Sequence, residues 1–259
     1  MKWRNPFWKG TFKAGVISLL VFSFINPSFA QSETKRIRLG LFDHEYPPYL
    51  MAPQNGRQGI VGDAFVEISK ILGYKTTIIV LPKKRAQLEL ENGTIDAIAS
   101  ALEWKEHTPG SIWSNEIIKV SDNVVMLETK QNKVQLPDHL IGKEIALMEG
   151  FTYPALETFI QDGSITTSRM NSHANLLRMV DKGRVDFGIL DENVAKWSVR
   201  EEKLNFENAL SYSRHGFDEV GYRLIMNSEQ WRSFINQFNK ALSKMKSDGS
   251  LDRILDKYR

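Results

Sequence analysis

Two stretches of this chain carry the same order of apolar and polar positions. Leu176, Leu177 and Val180 share one helical face, Lys182-Gly183 stops that helix, and Val185, Phe187, Ile189 and Leu190 form a short apolar run ending at Asp191. Earlier, Leu88 and Leu90 precede Asn92-Gly93, and Ile95, Ala97, Ile98 and Ala99 lead to Ser100. Each copy reads as an apolar helix, a glycine stop, an apolar residue, an aspartate (Asp96, Asp186) and a covered parallel strand. Two such copies predict two similar α/β lobes. In open α/β sheets ligands bind beyond the carboxyl ends of strands, which points at Ser100 and Asp191.

The pattern elsewhere predicts the connecting elements. Arg36 to Phe42 alternates as a first strand and empties into Asp43-His44-Glu45-Tyr46-Pro47-Pro48-Tyr49. The prolines exclude helix and predict an extended loop presenting Tyr46 and Tyr49, as a ligand wall or as rings that pack the loop down. Asp63 is expected to cap a helix over 64–72, with Phe65, Ile68, Ile71 and Leu72 inward. A strand over 76–81 follows, and Pro82 starts a helix that turns Ala86, Leu88 and Leu90 inward. This β-α-β-α-β run predicts a parallel sheet with right-handed crossovers.

Further strands are expected over 123–128, 144–148, 165–167 and 222–226. Glu149-Gly150-Phe151-Thr152 is expected to open a helix over 153–161. A helix start of that kind leaves backbone N–H groups for an anion, and a plain cap by Thr152 is the competing account. A long amphipathic helix over 231–246 carries Trp231, Phe234, Ile235, Phe238, Leu242 and Met245 on one face.

The first thirty residues change the picture. Lys2, Arg4, Lys9 and Lys13 precede an apolar run from Ala14 to Ile25, and Pro27-Ser28-Phe29-Ala30 supplies small residues before Gln31. This reads as a secretory signal peptide cleaved after Ala30, which places the mature protein in a periplasm. The run is too short to span a bilayer comfortably. No cysteine follows to carry a lipid. Losing the leader takes the net charge from +3 to −1, so the pI of 8.9 does not describe the mature chain and a nucleic-acid partner is excluded. The absence of cysteine excludes disulfides and thiolate chemistry. His44, His107, His139, His173 and His215 show no close ligand spacing, so no metal is expected. There is no nucleotide fingerprint, and no cofactor is expected.

The motifs in order resemble a known family. Tyr46-Pro47-Pro48-Tyr49, Gly59-Ile60-Val61-Gly62-Asp63, Asn92-Gly93-Thr94-Ile95-Asp96, Met148-Glu149-Gly150-Phe151-Thr152, Gly183-Arg184-Val185-Asp186, Asp191 and the closing run 245–258 together resemble the type II periplasmic solute-binding proteins, extracellular family 3. The resemblance covers about residues 35 to 259. It implies an α/β fold of two lobes with mixed sheets flanked by helices. Lobe one would be 31–122 plus 215–259 and lobe two 123–214, with a ligand cleft between them that closes by a hinge.

It further implies a monomer handing a small polar solute to an inner-membrane ABC permease or a sensor. Members that bind amino acids grip the carboxylate with an arginine. A carboxylate at the Asp191 position takes the ammonium, and amides at the Thr152 position assist. Here the arginine position falls on His107, Trp104 stands at the preceding threonine position, and Leu102 stands where a hydroxyl is common. Histidine lacks the bidentate fork, so the identity of the solute stays open. Arg85 would replace the cation if its helix start faces the cleft; the other account is a solvated arginine.

The residues expected at the cleft are therefore Tyr46, Tyr49, Arg85, Ser100, Leu102, Trp104, His107, Phe151, Thr152 and Asp191. Two alternatives stand beside binding. One is a dehydratase-like enzyme on the same fold using His107 with Glu103 or Glu106. The other is a sensory protein whose cleft has changed.

Overall fold

The computed structural model describes residues 35–43, 46–104, 110–133 and 138–259; the expected leader, His44, Glu106 and His107 lie outside them. β1 (Lys35–Phe42) buries Ile37, Leu39 and Leu41. It pairs in parallel with β2 (Tyr74–Leu81) on one side and β3 (Ala97–Ala101) on the other. The crossovers are α1 (Gly59–Ile71) and α2 (Lys83–Glu91).

Three expectations differ from the structure, the first being Ile71, expected inward and in fact 60% exposed. α1 starts four residues before the expected cap, and Asp63 lies buried inside it, accepting from the Gln58 N–H and the Lys257 ammonium, each at 3.2 Å. The helix needs no side-chain cap because the preceding loop supplies carbonyls: Ile60 N–H reaches Pro48 O at 2.9 Å and Val61 N–H reaches Tyr49 O at 3.1 Å. In α2, Ala86 and Leu90 face inward, four positions apart, and Leu88 between them is exposed because two positions is half a turn.

The second sheet repeats the plan. β6 (Glu144–Met148) pairs in parallel with β7 (Thr166–Met170) and β8 (Phe187–Leu190). α3 (Glu157–Gln161) and α4 (His173–Asp181) connect them, and α5 (Glu192–Glu201) follows β8. α4 buries Leu176, Leu177 and Val180; the Ser172 hydroxyl caps it by accepting from Asn175 N–H at 3.2 Å. The helix expected over 153–161 is a turn followed by the five residues of α3, so Thr152 opens no helix.

The two aspartates of the repeated pattern do the same thing in each sheet. Asp96 N–H donates to Arg38 O at 2.9 Å, and the Asp96 carboxylate accepts from Arg38 N–H at 2.7 Å. Asp186 N–H donates to Glu144 O at 2.8 Å, and its carboxylate accepts from Glu144 N–H at 3.2 Å. Each one clamps the start of its strand to the strand beside it.

Two antiparallel strands join the sheets. Both run longer than the expected 123–128 and 222–226. β5 (Ile118–Leu127) pairs with β10 (Phe217–Met226) up to Asp122, then from Asn123 onward with β8 and with β9 (Leu210–Tyr212). β10 also pairs with β3 and with the short β4 (Ile112–Trp113). The register of β5 and β10 shifts between Phe217 and Val220, where Asp218 takes φ +50°. α6 (Arg232–Ser247) then buries Phe234, Ile235, Phe238, Leu242 and Met245, and α7 (Ser250–Leu255) follows it.

Candidate functional site between the two sheets

The site begins with the loop after β1. It is a tight turn rather than an extended loop: Tyr46 N–H donates to Leu50 O at 2.9 Å, and Leu50 N–H returns to Tyr46 O at 3.0 Å. The N-terminus of α1 holds this turn through Pro48 O and Tyr49 O, as described above. Gly59 allows the approach, since a Cβ there would stand 2.5 Å from Tyr49 O and its φ is +80°. So pinned, Tyr49 is fully buried and stacks on Tyr46, ring centroids 5.9 Å apart.

Across from it, β8 delivers Asp191 to the start of α5. Asp191 caps that helix: its Oδ1 accepts from Asn193 N–H at 2.9 Å and Val194 N–H at 3.1 Å. The same oxygen accepts the Tyr49 hydroxyl at 2.9 Å, and Asn193 Nδ2 donates to the Tyr49 oxygen at 2.8 Å. Asp191 Oδ2 receives only a long contact from Ser121 N–H, 3.4 Å, among the described residues. Burial pushes the Asp191 carboxyl above the usual range, and these donors partly offset it.

Aromatic rings surround the pair. Tyr46 lies 5.8 Å from Phe151 and 5.9 Å from His173, both from the second sheet's side. Tyr49 lies 6.0 Å from Tyr222, and Trp104 meets Tyr222 edge-on at 5.7 Å. Two further carboxylates stand where the sheets join. Asp122 is pushed up to about 7, first by burial and then by Asp218 and Asp191. Asp218 accepts from Ala155 N–H at 3.1 and 3.0 Å. Among the described residues no lysine or arginine forms an ion pair with Asp122, Asp191 or Asp218.

The structure thus brings together Tyr46, Tyr49, Trp104, Phe151 and Asp191 of the expected set. Ser100 is buried at the end of β3, opposite Arg223, in a recess with Phe42, Lys83 and Trp104. Arg85 is turned along its own helix to Glu89, at 2.5 Å, and is exposed. Leu102 and Thr152 are exposed, and His107 lies outside the described residues. Glu103 accepts from Gly221 N–H at 3.4 Å. Sequence reasoning missed Asp122, Asp218, His173 and Tyr222. Their only signal was position, since the first two sit on strands that had to be extended before they could meet.

The description of the bacterial extracellular solute-binding proteins, family 3, matches residues 37–259. The chain belongs to this family. The family's fold is consistent with the two sheets whose ends bring Tyr49 onto Asp191. The chain is similar to a probable histidine-binding protein of Campylobacter jejuni, 21% identical over 90% of this chain and 88% of that protein. It is also similar to the membrane-bound lytic murein transglycosylase F of Pseudomonas putida strain GB-1, 23% identical over 96% of this chain but only 52% of that longer protein. Among solved structures it is similar to an ancestral cationic amino acid solute-binding protein. The TM-score is 0.68 at 20% identity, covering 86% of this chain and 95% of the other. No helix among the described residues is long and apolar enough to cross a membrane.

Proposed function

We propose that this family member binds a small amino-acid-like solute in the cleft between lobes 31–122 plus 215–259 and 123–214. The carrying observation is Asp191, a buried carboxylate at a helix N-terminus that a side chain of the opposite lobe reaches. A solute bearing an amino group finds there an acceptor already oriented by two backbone N–H groups, with aromatic rings for walls. The relatives named for histidine and for cationic amino acids support a solute with such a group. The leader expected over residues 1–30 supports a periplasmic site of action, and an inner-membrane permease or sensor is the partner such a monomer would serve. The transglycosylase match covers about half of that protein, so no hydrolytic or lytic role is carried over.

The β5–β10 crossing, with its register shift at Asp218, is where the lobes would hinge. The test is a thermal-shift screen of protein recovered from the periplasm of an expressing bacterium, against amino acids, polyamines, organic acids and sugars. A solute that binds only the folded state raises Tm. The expected result is a rise with an amino-bearing solute that Asp191→Ala abolishes. No rise across the panel, or one that Asp191→Ala leaves intact, overturns the reading.

A further inference from the structure

A second meeting place of the two sheets lies further along α5. This helix starts beyond the second sheet's strand β8 and packs on α4 and β5. Val194, Trp197 and Glu201 follow one another at helical spacing, so one stripe of α5 runs from the Asp191 cap to the last turn. Trp197 is only 5% exposed, deep for so large a side chain.

Three residues enclose it. The Arg57 guanidinium lies 4.9 Å and the Arg200 guanidinium 4.8 Å from the centre of the Trp197 ring. The Tyr258 ring packs 5.6 Å away. Arg200 belongs to α5, but Arg57 and Tyr258 come from the first sheet's side. Arg57 ends the tight turn Gln54-Asn55-Gly56-Arg57, which two backbone hydrogen bonds of 2.9 Å close just before α1. Tyr258 follows α7, which packs on α1 and α6. Polar contacts complete the group: Arg57 pairs with Glu201 at 3.5 Å, and Arg200 Nη2 donates to the Tyr258 carbonyl at 3.1 Å. Lys257, beside Tyr258, reaches Asp63 inside α1 at 3.2 Å.

The chain itself crosses between the sheets only on β5 and β10 among the described residues, and two strands can bend and twist. Side chains of α5 add a third attachment. A ring packed on a second ring and flanked by guanidinium groups gains dispersion and cation–ring attraction, and exclusion of water strengthens the latter. The helix is then fastened at two points. Asp191 meets Tyr49, and Trp197, six residues or about 9 Å further along the axis, meets Arg57 and Tyr258. One attachment leaves a rigid helix free to pivot; two fix its direction.

We infer that Trp197, held by Arg57 and Tyr258, is a positioning residue: it braces α5 against the first sheet's side and sets the angle at which the ends of the two sheets meet. Trp197 takes part in none of the site contacts described above, so it acts through the placement of Asp191. The brace stands whatever the solute is. Its effect on affinity rests on the reading of the cleft as a solute site. Loosening the brace spreads the molecule over wider angles, and apparent affinity falls with the fraction that keeps the binding arrangement.

The chain has no cysteine, so Lys84→Cys on α2 and Thr158→Cys on α3, both exposed, place one spin label on each side. Double electron–electron resonance without solute reads the distance between them. Trp197→Ala should widen the distribution and lengthen its mean, and Arg57→Ala should do the same to a smaller extent. Unchanged distributions in variants that still melt cooperatively overturn the brace and leave Trp197 a packing residue. If Trp197→Ala loses cooperative melting, Arg57→Ala carries the test, since that side chain is 26% exposed, and Arg57→Lys, which keeps the cation, should return the distribution toward that of the parent. Calorimetry with L-arginine as the probe reads the link to binding. Trp197→Ala should bind it roughly tenfold more weakly, the change expected when the binding arrangement is populated about a tenth of the time. A widened distribution with equal affinity overturns that link. Binding of L-arginine to neither protein counts against the solute reading, and the distances then decide the brace by themselves.

Discussion

The two helix–glycine–strand copies are alike up to the strand and different just past it. In both, a glycine with positive φ ends the helix (Gly93 at +71°, Gly183 at +60°), and an aspartate clamps the strand to its neighbour. Beyond the strands they part. β3 runs into a turn, leaving the neutral Ser100 in a recess. β8 runs directly into α5, so the residue between them, Asp191, becomes a helix cap that also accepts the Tyr49 hydroxyl. The repeated part builds the scaffold. The unlike part, one residue past the strand, holds the buried carboxylate.

The comparison can be broken first at the clamps. The Asp96 side chain is 8% exposed and takes three contacts from Arg38, whereas that of Asp186 is 35% exposed with a 3.4 Å contact to Lys130. Asp96→Ala should lose about 2 kcal/mol, because it leaves a backbone donor unpaired and removes a part-exposed ion pair, and Asp186→Ala about 1 kcal/mol. Urea unfolding measures both, and equal losses would show that the copies are not differently loaded.

Next comes the charge gathered at the second copy's end. Asp122 stands near 7 in the fold against 3.8 for a free side chain. The folded state therefore holds its proton more tightly. The associated stability is present in full below about pH 4 and is lost as pH rises through 7. Asp191 and Asp218, the groups that face it, keep the same sign while they are charged. Asp122→Asn should raise stability by about 1–2 kcal/mol at pH 8 and change it little at pH 5, read as the difference in Tm between the two proteins. A variant that tracks the wild type at both pH values would remove Asp122 from the cluster.

Smaller effects sharpen the likeness. Asp191→Asn keeps a capping oxygen, and Asp191→Ala does not, so the second should be less stable by about 1 kcal/mol while both lose solute binding. Ser100→Ala, one residue before the place in the first copy that matches Asp191, should leave both properties within about 0.5 kcal/mol. Gly93→Ala and Gly183→Ala should each lose about 1 kcal/mol, and by nearly the same amount, because both adopt left-handed φ with open space around the missing Cβ.

Much of the fold was legible because it rests on short-range rules. Alternation marked β1, the face of Leu176, Leu177 and Val180 marked α4, and the glycines marked where helices stop. Errors came where a long-range partner replaced a local signal. Asp63 looked like a cap, but carbonyls of Pro48 and Tyr49 already satisfied the helix start. Thr152 looked like a helix opening, but the segment turns instead, and Asp218 takes the Ala155 N–H. Of the two accounts of Arg85 the solvated one holds, with Glu89 one turn along as its local partner.

The sequence by itself determined the two α/β units, their order and the end of the strand at Asp191, because hydrophobic period, glycine and capping chemistry act within a few residues. Only the tertiary structure decided what Asp191 meets. Tyr49 comes to it on the turn after β1, and Asp122 along a strand that crosses between the sheets. No local pattern encodes that meeting, since it depends on where the pairing of β5 passes from β10 to β8.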